Sequence, residues 1–396
     1  MKITVIAGSP KGANSITMQY VEYLRTQLHE HDWRIEQVSS RIKKLERDRA
    51  SFDAVIARVR DADVVLWAFP LYVLLVPAGT KRFVELVHER GDDDAFAGKV
   101  AGSLSTSIHF HDNCAHDYIG AVSEDLGMRY LGAHSPEMED LQDDTYRPTL
   151  LAYGRSLVDA AATSLAVPRT WAPLRHHRWD YRPEPVAAPV STEGRKVAIV
   201  HDARPEDTNL AAMVRRLAAS FAGDVDVINI HEVRIKGNCM GCLRCGQDWQ
   251  CAWTGRDDYI EMVRQRLIPA DLLVFAGSVV DRHLSARWRT FFDRGFFNTH
   301  TPVYSGKQLA FVVAGPLGQM GNLREVLVGY AQFQETNLVG LLSDEIGDGA
   351  ALDEQLTGLA SRMIAAAEAD YVQPFDFHGV GGLKIFRDDI YGKLRM

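Results

Sequence analysis

The chain opens with Lys2-Ile-Thr-Val-Ile-Ala-Gly-Ser-Pro-Lys-Gly-Ala-Asn-Ser15, a short apolar run followed by a loop rich in glycine and serine. The run predicts a β-strand over residues 2–7, and the residues from Asn14 onward predict a helix. A glycine-rich loop between a strand and a helix lets backbone N–H groups converge at the positive end of the helix, which suits a phosphate. The loop fits neither the dinucleotide-binding fingerprint nor the P-loop pattern, and taken alone it also fits an ordinary turn.

Short β-branched strands alternate with helical patterns after this loop. In the first part of the chain the strands are predicted at 2–7, 34–38, 64–69, 100–106 and 129–133. This alternation is typical of a parallel sheet with helices on both faces. Five strands in about 165 residues favour the flavodoxin-like doubly wound order over a longer dinucleotide-binding fold.

A long internal repeat divides the chain. Asp63-Val-Val-Leu-Trp-Ala aligns with Asp271-Leu-Leu-Val-Phe-Ala, and the spacing of 208 residues is kept without a gap up to Gly132 and Gly340. At the start of each copy the spacing is about 194 residues, so the second copy carries about 14 additional residues in between. Repetition on this scale indicates duplicated domains and excludes a solenoid, whose repeats are far shorter.

The repeat predicts two tandem flavodoxin-like domains of the α/β class, each a doubly wound parallel five-stranded sheet with helices on both faces. We assign residues 1–165 to the first domain and 196–396 to the second. Between them, residues 166–195 contain five prolines and no helical period, which predicts an extended linker.

A cysteine motif lies in the segment that only the second copy contains. Four of the five cysteines fall within thirteen residues, as Cys239, Cys242, Cys245 and Cys251. Thiolates at this density suit one compact cluster, and Gly241 and Gly246 permit sharp turns between them, so we favour a [4Fe–4S] cluster. Structural zinc, which more often uses two separated cysteine pairs, and unmetallated thiols or disulfides are the alternatives. Cys114, alone in the first copy, is interpreted as a small buried apolar side chain.

Composition limits the classes of partner. The chain is 46% hydrophobic and 24% charged with a net charge of −8, and no basic stripe appears, which argues against nucleic-acid binding. The first apolar run is too short for a signal peptide, and no run reaches the length of a membrane span. Thiols concentrated at one site suit a reducing compartment, so we expect a cytoplasmic protein that binds no membrane.

Several segments resemble the NAD(P)H-dependent FMN reductase branch of the flavodoxin-like superfamily. They are the first loop, Pro70-Leu71-Tyr72 after the third strand, and Pro77 with Lys81 and Phe83. The cysteine motif followed by Asp257-Asp258 resembles the iron–sulfur flavoproteins of the same branch. These motifs touch most of both halves and leave the linker and the C-terminal tail outside. The chain thus resembles a tandem duplication of this domain. It departs from the single-domain iron–sulfur flavoproteins, in which one domain carries both cofactors.

The resemblance implies where FMN binds. It assigns the first loop to the FMN phosphate, the segment after the third strand to the isoalloxazine, and the loop of residues 106–111 to the pyrimidine edge. The candidate FMN-binding residues are therefore Ser9, Lys11, Asn14, Ser15, Pro70, Leu71, Tyr72, Val73, Thr106, Ser107 and His109. No catalytic side chain is expected, because the flavin and the cluster supply the chemistry.

The second copy lacks these features. Asp202 and Glu206 stand where the first copy has Gly8 and Gly12, and a loop with several carboxylates would repel a phosphate. At the constant spacing, the residues that replace Pro70, Tyr72 and Pro77 are Ser278, Val280 and Ser285. We therefore expect FMN in the first domain and the cluster in the second.

Two classes of function follow from this reading. One is an FMN-dependent oxidoreductase that takes electrons from NAD(P)H or ferredoxin, passes them between FMN and the cluster, and reduces a small-molecule acceptor. The other is an electron carrier that serves a protein partner such as ferredoxin. A third hypothesis is a simple FMN reductase whose second domain is stapled by zinc. A homo-oligomer is compatible with each of them.

Overall fold

The computed structural model describes residues 1–176, 179–298 and 301–391. The chain divides into two compact units: Met1–Pro173 with Cys239–Cys242, and Leu174–Asn238 with Leu243–Met396. Residues 177–178 of the predicted linker and residues 299–300 and 392–396 of the predicted second domain lie outside the described residues. The domain boundaries assigned from the sequence stay a prediction.

The first unit is built on a five-stranded parallel sheet. Its strands are β1 (Lys2–Ala7), β2 (Asp32–Gln37), β3 (Val64–Pro70), β4 (Val100–Thr106) and β5 (Arg129–His134). Its helices are α1 (Ile16–Gln27), α2 (Ile42–Arg47), α3 (Arg49–Arg60), α4 (Ala78–Arg90), α5 (Asp112–Asp125) and α6 (Arg147–Ala162). The strand order β2-β1-β3-β4-β5 is the doubly wound order expected from the sequence.

The central strand β3 is buried on both faces of this sheet. Val64, Leu66 and Ala68 pack in one core cluster together with residues of α1 and α6. On the opposite face, Trp67 lies against Phe83 of α4 at a ring-centroid distance of 6.4 Å. Burial on both faces explains why β3 reads as a continuous apolar run in the sequence. The edge strand β2 is mostly polar, and it begins two residues before the predicted start.

The second unit repeats the same scaffold with additions. Its strands are β6 (Val190–Ser191), β7 (Val197–His201), β8 (Phe221–Ala222), β9 (Val225–Asn229), β10 (Leu272–Val280), β11 (His283–Leu284), β12 (Gln308–Ala314) and β13 (Asn337–Ser343). Its helices are α7 (Thr208–Ala219), α8 (Cys245–Asp248), α9 (Tyr259–Met262), α10 (Ala286–Gly295), α11 (Gly321–Phe333), α12 (Gly349–Glu368) and α13 (Phe377–Ile385).

The main sheet of the second unit has the parallel order β13-β12-β10-β7-β9, which is the order of the first unit. A short strand, β11, pairs antiparallel with β10 and makes this sheet six-stranded, and β6 and β8 form a separate two-stranded sheet. The fold class predicted from the sequence is therefore confirmed, with β11 as an addition. Among the described residues, no helix is long and apolar enough to cross a membrane.

Polar residues that the two copies share make the same contacts in each unit. The side chain of Asp63 accepts the N–H of Lys2, and that of Asp271 accepts the N–H of Lys196, both at 2.8 Å. In the same way, Lys99 Nζ donates to Ala62 O and Lys307 Nζ donates to Ala270 O, both at 2.7 Å. These side chains satisfy backbone groups at the amino ends of the central strands, which explains why they recur in the repeat.

Each unit also buries an ion pair at a matched position, in the helix that follows the central strand of its sheet. In α4, Lys81 Nζ lies 3.0 Å from Glu85 Oε1, and both side chains are at most 2% exposed. In α10, Arg289 pairs with Asp293, and both side chains are 1% exposed. A buried charge is tolerated only when it is paired. The presence of a cation at both Lys81 and Arg289 is therefore explained by the ion pair that each unit buries.

Candidate functional site

The candidate FMN residues of the first unit lie in the loops that follow β1, β3 and β4. These strands are neighbours in the sheet, so their carboxyl ends lie at one edge. Ligands of open α/β sheets bind at this edge, beyond the strand ends. The three segments that the sequence singled out separately are thus brought to one place.

The loop after β1 is a compact polar turn. Gly12 has φ of +60°, a left-handed conformation that favours glycine, and its N–H donates to Ser9 O at 3.2 Å. The Ser9 hydroxyl is buried and accepts the N–H of Lys11 at 3.2 Å. Ser15 is buried at the N-cap of α1, while Lys11 and Asn14 are exposed. Hydroxyl groups, an amide, one lysine and the N–H groups of a helix start fit a phosphate group.

Two threonines that the sequence reading missed hold this loop in place. Thr17 Oγ1 on α1 lies 2.6 Å from Thr106 Oγ1 at the end of β4, and both side chains are buried. Thr80 Oγ1 on α4 donates to Gly8 O at 3.1 Å. A Cβ at Gly8 would lie only 2.5 Å from Thr80 Oγ1. Gly8 is therefore required by the close approach of α4 to the loop backbone.

The segment Pro70–Val73 leaves the end of β3 toward the same edge. The N–H of Leu71 donates to Thr106 O at 3.2 Å, which joins this segment to the end of β4. The next residue after the segment, Leu74, has φ of +58°, a conformation that is uncommon for a residue with a side chain. The backbone therefore turns sharply directly after the candidate flavin-contacting residues.

Tyr72 packs against the first part of the cysteine motif, which belongs to the first unit. A Cβ at Gly241 would lie 2.3 Å from Tyr72 Oη, so only glycine fits beside the ring. Gly241 has φ of +60°, and its N–H donates to Cys239 Sγ at 3.4 Å. The sequence predicted a turn at Gly241, and it contained no signal for the contact with Tyr72.

The loop after β4 is held by its own side chains. The N–H of Ser107 donates to Pro136 O at 3.3 Å, and its hydroxyl accepts the N–H of His109 at 3.0 Å. His109 has φ of +62° and is half-exposed, and its Nδ1 lies 2.9 Å from Asp112 Oδ2. Asp112 was not selected from the sequence, although a carboxylate three residues after a loop histidine is a recognisable spacing.

The matched loop of the second unit is closed by its own side chains. Asp202, at the position of Gly8, is buried and accepts a hydrogen bond from the hydroxyl of Ser285. The N–H of Ser278 donates to the same carboxylate at 3.4 Å. Ser278 and Ser285 occupy the positions of two prolines of the first unit, so the three replacements form one hydrogen-bonded group.

The buried carboxylate makes this second loop unsuitable for an anion. Burial raises the pKa of Asp202 to about 6, although the hydrogen bonds from Ser285 and Ser278 act in the opposite direction. Asp207, at the N-cap of α7, accepts a hydrogen bond from the Ser278 hydroxyl at 3.3 Å. A phosphate at this helix start would face two carboxylates, and the residues therefore do not fit FMN.

The cysteine motif is divided between the two units. Cys239 and Cys242 belong to the first unit, and Cys245 and Cys251 to the second. All are free thiols, with Cys245 buried and Cys242 exposed. Cys245 begins the short helix α8, and its thiol lies 3.5 Å from Phe296 O. The prediction that Gly246 provides a turn is wrong, because Gly246 lies within α8.

A buried arginine anchors the base of this motif in the second unit. Arg294 donates to both carboxylate oxygens of Asp257, at 2.7 and 3.0 Å, and to Gly237 O at 3.0 Å. Burial opposes ionisation of Asp257, and the hydrogen bonds from Arg294 more than offset this, so the pKa of Asp257 is lowered. Arg294 also interacts electrostatically with Cys251.

Known proteins place the chain in a family. The family model for NADPH-dependent FMN reductases matches residues 1–136 and 196–337. No curated protein sequence matches the chain. An apo NADH:FMN oxidoreductase structure shows 21% identity and a TM-score of 0.34, over 42% of this chain and 90% of the other. The NAD(P)H:(acceptor) oxidoreductase FerB from Paracoccus denitrificans shows 15% identity and a TM-score of 0.34, over 41% and 97%. The FMN-dependent NADH-azoreductase from Bacillus anthracis, in complex with FMN, shows 13% identity and a TM-score of 0.30, over 41% and 99%.

The two matched segments coincide with the two sheets. The first begins before β1 and ends after β5, and the second begins before β7 and ends at the start of β13. Together they cover more than half of the chain, and both carry the same strand order. The chain therefore belongs to the NADPH-dependent FMN reductase family and contains its domain twice, as a tandem duplication.

Proposed function

We propose that the protein is an FMN-dependent NAD(P)H oxidoreductase that binds one FMN per chain, in the first unit. The observation that carries this proposal is the difference between the two loops after the first strands. In the first unit the loop offers buried hydroxyls and a helix start without a carboxylate. In the second unit Asp202 occupies the corresponding place. Membership of the FMN reductase family supports the choice of FMN as the ligand.

The residues of the first unit have distinct proposed roles. Ser9, Asn14, Ser15 and the first turn of α1 bind the phosphate, and Lys11 adds a positive charge. Pro70–Val73 borders the isoalloxazine, with Tyr72 held at its back by Gly241. Thr106, Ser107 and His109 face the pyrimidine edge. Bound FMN supplies two-electron exchange with a nicotinamide and one-electron exchange with other centres.

We further propose that Cys239, Cys242, Cys245 and Cys251 hold a [4Fe–4S] cluster. The proposal rests on their spacing, and two local observations support it. The N–H of Gly241 donates to Cys239 Sγ, a type of hydrogen bond that tunes cluster sulfurs. The positive charge of Arg294 interacts electrostatically with Cys251, and a positive charge at this place attracts an anionic cluster. Such a cluster supplies one-electron transfer.

Flavin binding and reduction test the first proposal. We expect apo protein to bind close to one FMN per chain, and we expect NADH or NADPH to bleach the flavin absorbance under anaerobic conditions. Steady turnover with a quinone or nitroaromatic acceptor would assign a small-molecule reductase. A flavin that neither nucleotide reduces but that exchanges electrons rapidly with ferredoxin would replace this assignment by an electron carrier.

Metal analysis tests the second proposal. Anaerobically purified protein should contain about four iron and four sulfide per chain, the content of this cluster type, with broad visible absorption beyond the flavin bands. Each Cys→Ser change in the motif should reduce the iron content, while Cys114→Ser should leave it unchanged. One zinc per chain without that absorption would refute the cluster and assign the second unit a structural role.

A further inference from the structure

A continuous chain of hydrogen bonds runs from the exposed loop after β4 into the interior of the first unit. Its members come from β4, α5, β5 and the segment that follows β5. The contacts are His109 Nδ1–Asp112 Oδ2 at 2.9 Å, Ser135 Oγ–Asp112 Oδ2 at 2.7 Å, Ser105 Oγ–Ser135 Oγ at 2.9 Å, Ser105 Oγ–His116 Nε2 at 2.9 Å, His116 Nδ1–Ser103 Oγ at 2.7 Å and Ser103 Oγ–Tyr130 Oη at 2.5 Å.

The direction of every bond follows from the ionised carboxylate of Asp112. Burial opposes its ionisation, but hydrogen bonds from His109 and Ser135 lower the pKa of Asp112 to about 2. A carboxylate only accepts hydrogen bonds, so Ser135 donates its single proton to Asp112. Ser105 must then donate to Ser135, and the oxygen of Ser105 is left to accept a hydrogen bond from His116 Nε2–H.

The same rule assigns the tautomer of the buried histidine. Burial lowers the pKa of His116 to about 4, so its ring is neutral near pH 7 and carries one proton. With that proton on Nε2, the ring accepts a hydrogen bond from Ser103 through Nδ1. Tyr130 then donates to Ser103, and burial raises the pKa of Tyr130, which keeps this proton in place. All donors therefore point toward Asp112.

The other end of the chain holds the exposed histidine. The hydrogen bond to Asp112 raises the pKa of His109, partial burial acts against it, and the charges of Glu137 and Asp140 add to the increase. Among the described residues, His109 Nε2 makes no hydrogen bond. The left-handed backbone of His109 is fixed by its N–H bond to Ser107 Oγ at 3.0 Å. The ring is thus oriented from two sides, and its Nε2 is available to a ligand.

A cavity of about 320 Å³ lies beside this ring. Its other titratable and charged walls are Tyr20 of α1, His134 of β5, Glu137 and Asp140 of the following segment, and Tyr146 and Arg147 at the start of α6. The second unit has nothing comparable at the constant spacing of the repeat, because Leu317 and Met320 stand at the positions of His109 and Asp112. At these two matched positions, only the first unit carries the His109–Asp112 pair.

We propose that Asp112 is a positioning residue that holds His109 as a proton-carrying hydrogen-bond donor to the pyrimidine edge of bound FMN. The serine–histidine–tyrosine chain behind Asp112 keeps its carboxylate ionised and turned toward His109. This inference rests on the proposed function, since it takes FMN as the ligand of the first unit. It predicts that FMN binds most tightly while His109 carries its second proton, and that affinity falls as pH rises through the pKa of His109.

The test compares wild-type protein with Asp112→Asn and His109→Gln. FMN dissociation constants are measured from pH 5.5 to 9, and the His109 ring is titrated by NMR in the protein without flavin. We expect the His109 titration of Asp112→Asn to move to lower pH. We expect FMN binding by that variant to be about tenfold weaker at pH 6, as for the loss of a hydrogen bond to a charged group, and near wild type at pH 9. His109→Gln should bind FMN with the pH dependence of the flavin phosphate alone.

The outcomes separate this inference from the function it rests on. Equal weakening of FMN binding by Asp112→Asn at every pH, with an unchanged His109 titration, would reduce Asp112 to a structural role. Unchanged FMN binding by both variants would remove His109 from the site. If wild-type protein binds no FMN, the proposed function itself fails, and the NMR titration still decides whether Asp112 controls the protonation of His109.

Discussion

The two units share one scaffold and differ at the loop after the first strand. In the first unit this loop contains Gly8, Gly12 and the buried serines Ser9 and Ser15. In the second unit the buried Asp202 accepts hydrogen bonds from Ser278 and Ser285. The loop of the second unit is therefore closed by hydrogen bonds among its own side chains.

The polar residues that both copies share stabilise the scaffold. Asp63 and Asp271 accept a hydrogen bond from the backbone N–H at the start of the first strand of their unit. Lys99 and Lys307 donate to the carbonyl group that lies just before the central strand. Loss of such a contact would leave a backbone group at the start of a strand without its protein partner, whatever the unit binds. Scaffold contacts are therefore kept in both copies, while the glycine-rich loop after the first strand is kept only in the first copy.

The largest expected effect is the loss of FMN by Ser15→Asp. A carboxylate about 4 Å from the phosphate costs about 4 kcal/mol at an effective dielectric constant near 20, or a factor on the order of a thousand in affinity. Asn14→Asp, at an exposed position, should also weaken FMN binding, while Thr208→Asp at the matched exposed position of the second unit should not. FMN titration by fluorescence measures each. Equal losses from both exposed variants would contradict the assignment of FMN to the first unit.

The buried ion pairs should matter for stability in both units. Arg289→Met leaves Asp293 buried and should lower the free energy of unfolding by about 3–5 kcal/mol. Lys81→Met should cost less, because Arg82 Nη1 lies 3.1 Å from Glu85 Oε2, whereas Thr290 stands at the position of Arg82. Denaturant titrations of the two variants measure the difference. A larger loss for Lys81→Met would show that Arg82 does not compensate.

Asp202 should make the second unit less stable at neutral pH than in mild acid. Its folded pKa of about 6 lies above the usual aspartate value of 3.8, so its contribution to folding stability is fully present below pH 4 and is lost as pH rises through 6. This shift corresponds to at most about 3 kcal/mol. Asp202→Asn should remove that dependence, which unfolding at pH 5 and pH 8 will show. A stability difference between wild type and variant that is constant with pH would contradict the raised pKa.

Tyr72→Ala should weaken FMN retention by about fivefold to tenfold, as for the loss of one aromatic contact of about 1 kcal/mol. Val280→Ala, at the matched position of the second unit, should leave FMN binding unchanged. Equilibrium dialysis of both variants provides the comparison. Equal effects would mean that both units take part in flavin binding.

The smallest expected effect is shared by both units. Gly98 and Gly306 have φ of +75° and +77°, and a Cβ at either position meets no atom within 4 Å. Gly→Ala at each should therefore cost only the conformational strain of about 1 kcal/mol. Gly358→Ala, inside α12 and equally free of contacts, should instead stabilise the protein slightly. Thermal denaturation distinguishes these signs, and clearly unequal costs at Gly98 and Gly306 would show that the turns are not equivalent.

Much of the fold could be predicted because its signals are local. The buried strand β3 is a continuous apolar run, and its predicted bounds differ from the observed ones by one residue at the C-terminal end. The edge strand β2 was less well predicted, because polar residues on an exposed edge carry little periodic signal. The spacing of 208 residues predicted the second sheet. It did not predict β11, because among the described residues the sheet of the first copy has no corresponding strand.

The candidate site could be predicted only in part. Ser9, Ser15 and the glycines were recognisable because a loop between a strand and a helix is a local pattern. Thr80 could not be selected, because it lies 72 residues from its partner Gly8 and meets it only after α4 packs on the sheet. Asp112 could have been selected from the sequence, because it follows His109 by only three residues.

The amino-acid sequence by itself determined the fold class, the duplication, the glycine loop and the spacing of the four cysteines. Each of these is a pattern among residues that are close in the chain or separated by one constant interval. The fold alone determined which distant groups meet: Thr17 with Thr106, Tyr72 with Gly241, and Asp202 with Ser285. Such contacts depend on how strands and helices pack, and no local preference of either partner encodes them.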